Sequence, residues 1–194
     1  MTTPNEIISF WRDEVGPQGW YEAKDEVDEQ VRKRFLPAWT RAQELAEEWA
    51  GTPEGALAAI ILTDQFPRNM FRGDGRSFDT DPLSRRLADA AIAAGHDMAI
   101  DPPMRQFFYL PFMHSEDLAD QDRGIALFAE KMPGDNERHA QLHRDVIANF
   151  GRFPWRNADL GRETTAAEQA FLDAGAYGGM VQGRVSLDGS GGMV

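Results

Sequence analysis

Four times the chain sets a small polar residue directly before a proline: Thr3-Pro4, Thr52-Pro53, Asp81-Pro82 and Asp101-Pro102. Each pair opens a run whose apolar residues recur at helical spacing. Proline at a first helical position sacrifices no hydrogen bond, and the polar residue before it accepts from the free N–H groups of the first turn. Thr3 with Glu6, and Thr165 with Glu168, complete capping boxes. Glycines at 16, 51, 95 and 134 stand where runs stop. No stretch shows the period-two alternation of a half-buried strand. The pattern predicts an all-α fold of about nine helices, packed as antiparallel pairs around one core.

The predicted helices have definite inner faces. The first carries Ile7, Ile8, Phe10 and Trp11 and stops near Gly16. The second starts at Lys24, buries Val27, Val31, Phe35 and Leu36, and should kink or divide at Pro37. The third runs from about Pro53 to Gln65 along Leu57, Ile60 and Ile61. After Asp81-Pro82 come Leu83, Leu87, Ala91 and Ala94. The run "MRQFFYLPFM" after Asp101-Pro102 bends at Pro111, and its aromatic residues read as core. Ser115 then caps a helix with Leu118, Ile125, Phe128 and Met132 inward, with Glu116 and Asp117 in its first turn. Another helix spans about 136–150. A single domain over 1–177 follows from the length. The Gly-rich end, "GGMVQGRVSLDGSGGMV" over 178–194, reads as a flexible tail unless the core or a second copy holds it; self-association through it is one expectation.

Composition excludes several classes. The formal net charge of −12 repels phosphate backbones, so no nucleic-acid partner is expected. No apolar run approaches the ~20 residues of a membrane helix, and the N-terminus lacks the basic-then-apolar pattern of a secretory signal. Cysteine is absent, which removes disulfide and thiolate chemistry and fits a reducing compartment. A soluble cytoplasmic protein is expected. Seventeen arginines stand against three lysines. Arginine suits bidentate contacts with carboxylates and phosphates, although GC-rich coding explains the total more simply.

Two near-copies of one element draw attention: "DQFPRN" from Asp64 and "FGRFPWRN" from Phe150. Asp64 lies on the apolar stripe of its helix, where a carboxylate needs a partner; Arg68, four residues on, could clasp it, as could Arg72 or Arg156. The pairs Arg68-Asn69 and Arg156-Asn157 have two readings. Arginine can meet the bare carbonyls of a helix end while asparagine takes the left-handed backbone there. Alternatively Arg68, Arg72, Arg152 and Arg156 converge on an anion. His139 and His143 share a helix face one turn apart, and His114 with Glu116 lies upstream, so a metal or acid–base site is a further reading. It is a weaker one, because the metalloprotease glutamate between the histidines is missing.

The motifs "DQFPRN", "RQFFYLPFMHSEDLADQ" from Arg105 to Gln121, and "FGRFPWRN" resemble the bacterial family known as domain of unknown function 924. The resemblance runs from about Phe10 to Leu172 and leaves out the Gly-rich tail. It implies an all-helical fold similar to the tetratricopeptide-repeat superfamily and implies no reaction. It singles out Asp64, Gln65, Arg68, Asn69, His114, Ser115, Glu116, Asp117, Arg152, Arg156 and Asn157. Three functions follow. The leading one is a binding module with a groove lined by Asp64, Arg68, Asn69, Arg72, His114, Glu116, Arg152, Arg156 and Asn157, for a small anion or an acidic peptide end. The second is a hydrolase-like enzyme using His114, His139 and His143 with Glu116 or Asp64. The third is a structural protein whose polar motifs are caps and clasps. No motif specifies a cofactor, and a catalytic assignment stays open.

Overall fold

In this computed structural model residues 2–187 are described. The chain forms two compact units, one ending at Pro111 and the other starting at Phe112. Among the described residues there is no β-strand, as the cap spacing predicts.

The first unit opens with α1 (Pro4–Ser9), which runs on through a π-helical segment, Phe10–Val15, into α2 (Gly16–Gly19). Then come α3 (Asp25–Trp39), α4 (Ala42–Trp49) and α5 (Pro53–Ile60). A second π-helical segment, Ile61–Gln65, leads from α5 into α6 (Phe66–Met70), and α7 (Asp81–Ala93) follows. Both expected Thr caps form. Thr3 makes the reciprocal box with Glu6, and Thr52 accepts from the N–H of Gly55, with Pro53 at the first position. A Cβ added to Gly55 would lie 2.0 Å from the Trp49 carbonyl oxygen, so the α4–α5 corner has no room for one.

The centre of this unit is α5 and its continuation, where every residue from Gly55 to Pro67 is buried. A helix apolar on all sides belongs in the middle of a unit, and α1, α4 and α7 pack around it. Phe10, Trp11, Phe35 and Phe66 interlock beside it, with Phe35 and Phe66 stacked at 4.7 Å.

Three local expectations change. Pro37 sits inside the last turn of α3 and does not divide it; the helix ends at Thr40, whose hydroxyl donates to the Pro37 carbonyl. On α7 the buried residues are Asp81, Ser84, Ala88 and Ala91, whereas Leu83 and Leu87 are half-buried and Ala94 is exposed. Small side chains let α7 approach the alanine-rich α5 closely, which the larger leucines would prevent. Asp101-Pro102 opens no α-helix: Met104–Phe108 is a 3-10 segment, followed by the single turn α8 (Leu110–Met113).

The second unit holds α9 (Leu118–Lys131), α10 (Asp135–Phe150), a 3-10 turn at Pro154–Arg156, α11 (Ala166–Asp173) and α12 (Ala176–Val181). The cap of α9 is Asp117, which accepts from the N–H groups of Ala119 and Asp120; Ser115 instead donates to the Asp120 carboxylate. Glu116 therefore precedes the helix. Leu118 is exposed, and the inner face is Gln121, Gly124, Leu127 and Phe128. The predicted box of Thr165 with Glu168 forms at α11.

The start of the Gly-rich segment is ordered: α12 extends to Val181, and Met180 and Val185 join Val146, Ile147, Phe153 and Phe171 in the core of this unit. Gly179 permits this, because a Cβ there would lie 2.7 Å from the Ala174 carbonyl oxygen. Residues 188–194, the last seven of the tail expected to self-associate, lie outside the described ones. Among the described residues no helix is long and apolar enough to cross a membrane.

Candidate functional site

In the first unit the polar residues of "DQFPRN" are taken up by carboxylates and carbonyls. Arg68 grips Asp81 with two hydrogen bonds of 2.9 Å and donates to the Asp64 carbonyl, while the Asp64 carboxylate lies 3.5 Å away. Burial opposes the charge on this guanidinium, but Asp81 and Asp64 outweigh that, and its pKa is held above the ordinary value. Asp64 is 1% exposed and also accepts from Gln65. Asn69 donates to Asp28, and Arg72 makes a bidentate pair with the same carboxylate at 2.7 and 2.8 Å. The chain therefore uses Arg68, Asn69 and Arg72 to tie α6 to α7 and α3. The clasp foreseen between Asp64 and Arg68 exists, with Asp81 as its stronger half.

In the second unit the corresponding residues make a different network. Arg152 forms a bidentate pair with Glu168, which is 2% exposed and also accepts from Asn157 and from the N–H of its own cap, Thr165. The bonds from Arg152 and Thr165 pull the Glu168 pKa down to about 2. Glu116 accepts two bonds from Arg162 and one from the N–H of Phe153. Desolvation alone would raise its pKa; these bonds and the charge of Arg156 bring it below the ordinary value. Arg156 donates to the His114 carbonyl and lies 4.6 Å over the Phe153 ring. Neither Asn69 nor Asn157 takes a left-handed backbone; among the described residues Ala176 is the non-glycine residue with positive φ.

Beside this network lies a group of half-buried rings. His143 on α10 sits 4.5 Å from Tyr177 of α12, 5.6 Å from Phe153 and 6.1 Å from Trp155, measured between ring centres. His143 Nδ1 is 2.9 Å from the His139 carbonyl oxygen, and His139 Nδ1 pairs with the Tyr177 hydroxyl. Desolvation pushes the His143 pKa down to about 3, against the carbonyl hydrogen bond and with help from positive charge on His114, Arg156 and His139. Desolvation raises the Tyr177 phenol to about 12. Both rings are therefore neutral over the ordinary pH range.

Among the described residues no three His, Asp or Glu side chains are arranged to hold a metal ion. The reading that joined His114, His139 and His143 around one ion thus loses its geometry. Sequence reasoning missed Asp28, Asp81, Arg162 and Tyr177. Asp28 carried a usable signal, since it lies three residues before Val31 and seven before Phe35 on one buried stripe, the same argument that singled out Asp64.

A model of the family described as bacterial protein of unknown function, DUF924, matches residues 7–176. The chain belongs to this family. A solved structure of a protein of unknown function from Agrobacterium tumefaciens is similar to it, with 42% identity and a TM-score of 0.83 over 88% of this chain and 96% of that one. No curated protein matches. Membership in DUF924 thus fixes the all-helical fold and leaves the activity to be read from the side chains.

Proposed function

We propose that this DUF924 protein is a small-ligand binding module whose site is the patch of His139, His143, Trp155 and Tyr177. The ligand is a small organic anion with a flat body. The observation that carries this reading is the gathering of four half-buried, polar-tipped rings in one unit, beside arginines that are already engaged. Amphipathic rings offer stacking area and a hydrogen-bonding edge at low entropic cost. The guanidinium of Arg156, near enough to His143 to disfavour its protonation, favours a ligand that brings a negative end. The arginine groove expected from sequence is set aside in favour of this patch, because Arg68, Arg72, Arg152 and Arg162 each face a carboxylate.

Thermal shift with phenylacetate and its neutral amide tests the reading, since a ligand that prefers the native state raises the melting temperature. The carboxylate should stabilise the protein more than the amide. Trp155→Ala should abolish the shift, and Arg72→Ala should retain it. No shift with either compound, or an equal shift in Trp155→Ala, would overturn the assignment.

A further inference from the structure

The orientation of His143 says more about what the patch accepts. A carbonyl oxygen can only accept, so the 2.9 Å contact with the His139 carbonyl requires the hydrogen of His143 to sit on Nδ1. The neutral ring then carries its lone pair on Nε2. Among the described residues no hydrogen bond engages Nε2, and the residue is half-buried. The ring cannot turn this nitrogen away, because Tyr177, Phe153 and Trp155 pack around it and the Nδ1 bond fixes the flip.

We propose that His143 Nε2 is the fixed hydrogen-bond acceptor of this site, so that its ligand carries a hydroxyl or N–H donor on the flat body seated beside Trp155 and Tyr177. This rests on the binding reading above and narrows it to hydroxylated or amino-bearing aromatic acids. The surroundings agree. The ionisable groups that face His143 are His139 on its own helix, Tyr177 from α12, and His114 and Arg156 from the flanking segments; the three basic ones disfavour a second proton on the ring. An acceptor that stays neutral selects donors, because an analogue without one leaves the nitrogen unpaired in the complex.

Two measurements test this. In nitrogen-15 NMR of the ligand-free protein, His143 should show a protonated Nδ1 and a bare Nε2 from pH 7.5 down to pH 5. The opposite tautomer, or a doubly protonated ring by pH 5, would overturn the assignment. The second compares para-hydroxyphenylacetate with para-methylphenylacetate, which match in size and differ in the donor. The hydroxyl compound should bind about tenfold more tightly, and His143→Phe, which keeps a ring, should erase the preference. Equal binding of the two compounds would refute the acceptor role and leave the site standing. Binding of neither would remove the site and the acceptor together.

Discussion

The two Phe-Pro elements carry nearly the same letters and do different physical work. In the first, Phe66 and Pro67 begin α6, and Arg68 and Asn69 reach two separate carboxylates, Asp81 and Asp28. In the second, Phe153 is extended, Pro154 to Arg156 form a 3-10 turn, and Trp155 is inserted between proline and arginine. There Arg156 turns to a carbonyl, while Asn157 joins Arg152 on a single acid, Glu168. The first element distributes its polar groups to stitch helices together. The second concentrates them on one hub and leaves an indole beside His143 half-exposed. Motif identity therefore fixes the chemistry available, and the partners fix its use.

The sharpest way to break this contrast is to remove the hub. Glu168→Ala takes away the capping box and leaves Arg152 and Asn157 without their shared acceptor. Loss of the cap costs about 1 kcal/mol and the buried donor of Asn157 left unpaired about 1–3 kcal/mol, so urea denaturation should show a loss of about 3 kcal/mol. The first element divides its bonds between two acids, Asp28 for Asn69 and Arg72 and Asp81 for Arg68. Asp81→Asn, which weakens Arg68 while the Asp64 contacts persist, should cost less, about 2 kcal/mol by the same assay. A cost for Asp81→Asn matching that of Glu168→Ala would erase the distinction between a hub and distributed clasps.

Much of the fold was legible because helix starts obey local rules. Thr3, Thr52 and Thr165 cap where their side chains can reach free N–H groups, whatever the tertiary context. Inner faces were less legible. On α7 the apolar spacing marks Leu83, Leu87, Ala91 and Ala94 as inward, but a close helix crossing keeps Ala91 there and rewards Ser84 and Ala88 over the leucines. The residues of the clasps were foreseen and their partners mostly were not: Asp28 lies 44 positions from Arg72, and pairing at that range is set by packing. Tyr177, ahead of a Gly-Gly step, looked like the edge of a flexible tail; only the burial of Met180 and Val185 reveals why it is held against His143.

The ring patch gives the second unit a pH response of its own. The His143 pKa falls from about 6.5 in the unfolded chain to about 3 when folded. Between these values the unfolded state binds the extra proton, so stability is full above pH 6.5 and declines as the pH falls towards 3. The slope is at most about 1.4 kcal/mol per pH unit. Glu168, whose folded pKa is about 2, adds its own loss only once the pH drops below the ordinary carboxylate value near 4.5. The window from pH 6.5 to 5 therefore separates His143 from Glu168. His143→Gln should flatten the stability profile there, and an unchanged slope would mean that the imidazole is not desolvated.

The smallest expected effect separates the two arginines of the first element. Arg68 and Arg72 both make bidentate pairs with an aspartate, but the side chain of Arg72 is 47% exposed and that of Arg68 21%. Solvent screens the outer pair, and Asn69 continues to donate to Asp28 when Arg72 is gone. Arg72→Ala should therefore cost no more than about 1 kcal/mol, and the loss should shrink further in high salt. Arg68→Ala strands the buried Asp81 and should cost more and respond less to salt. A large, salt-insensitive loss at Arg72 would move Asp28 into the same class as Glu168 and make the first element a hub as well.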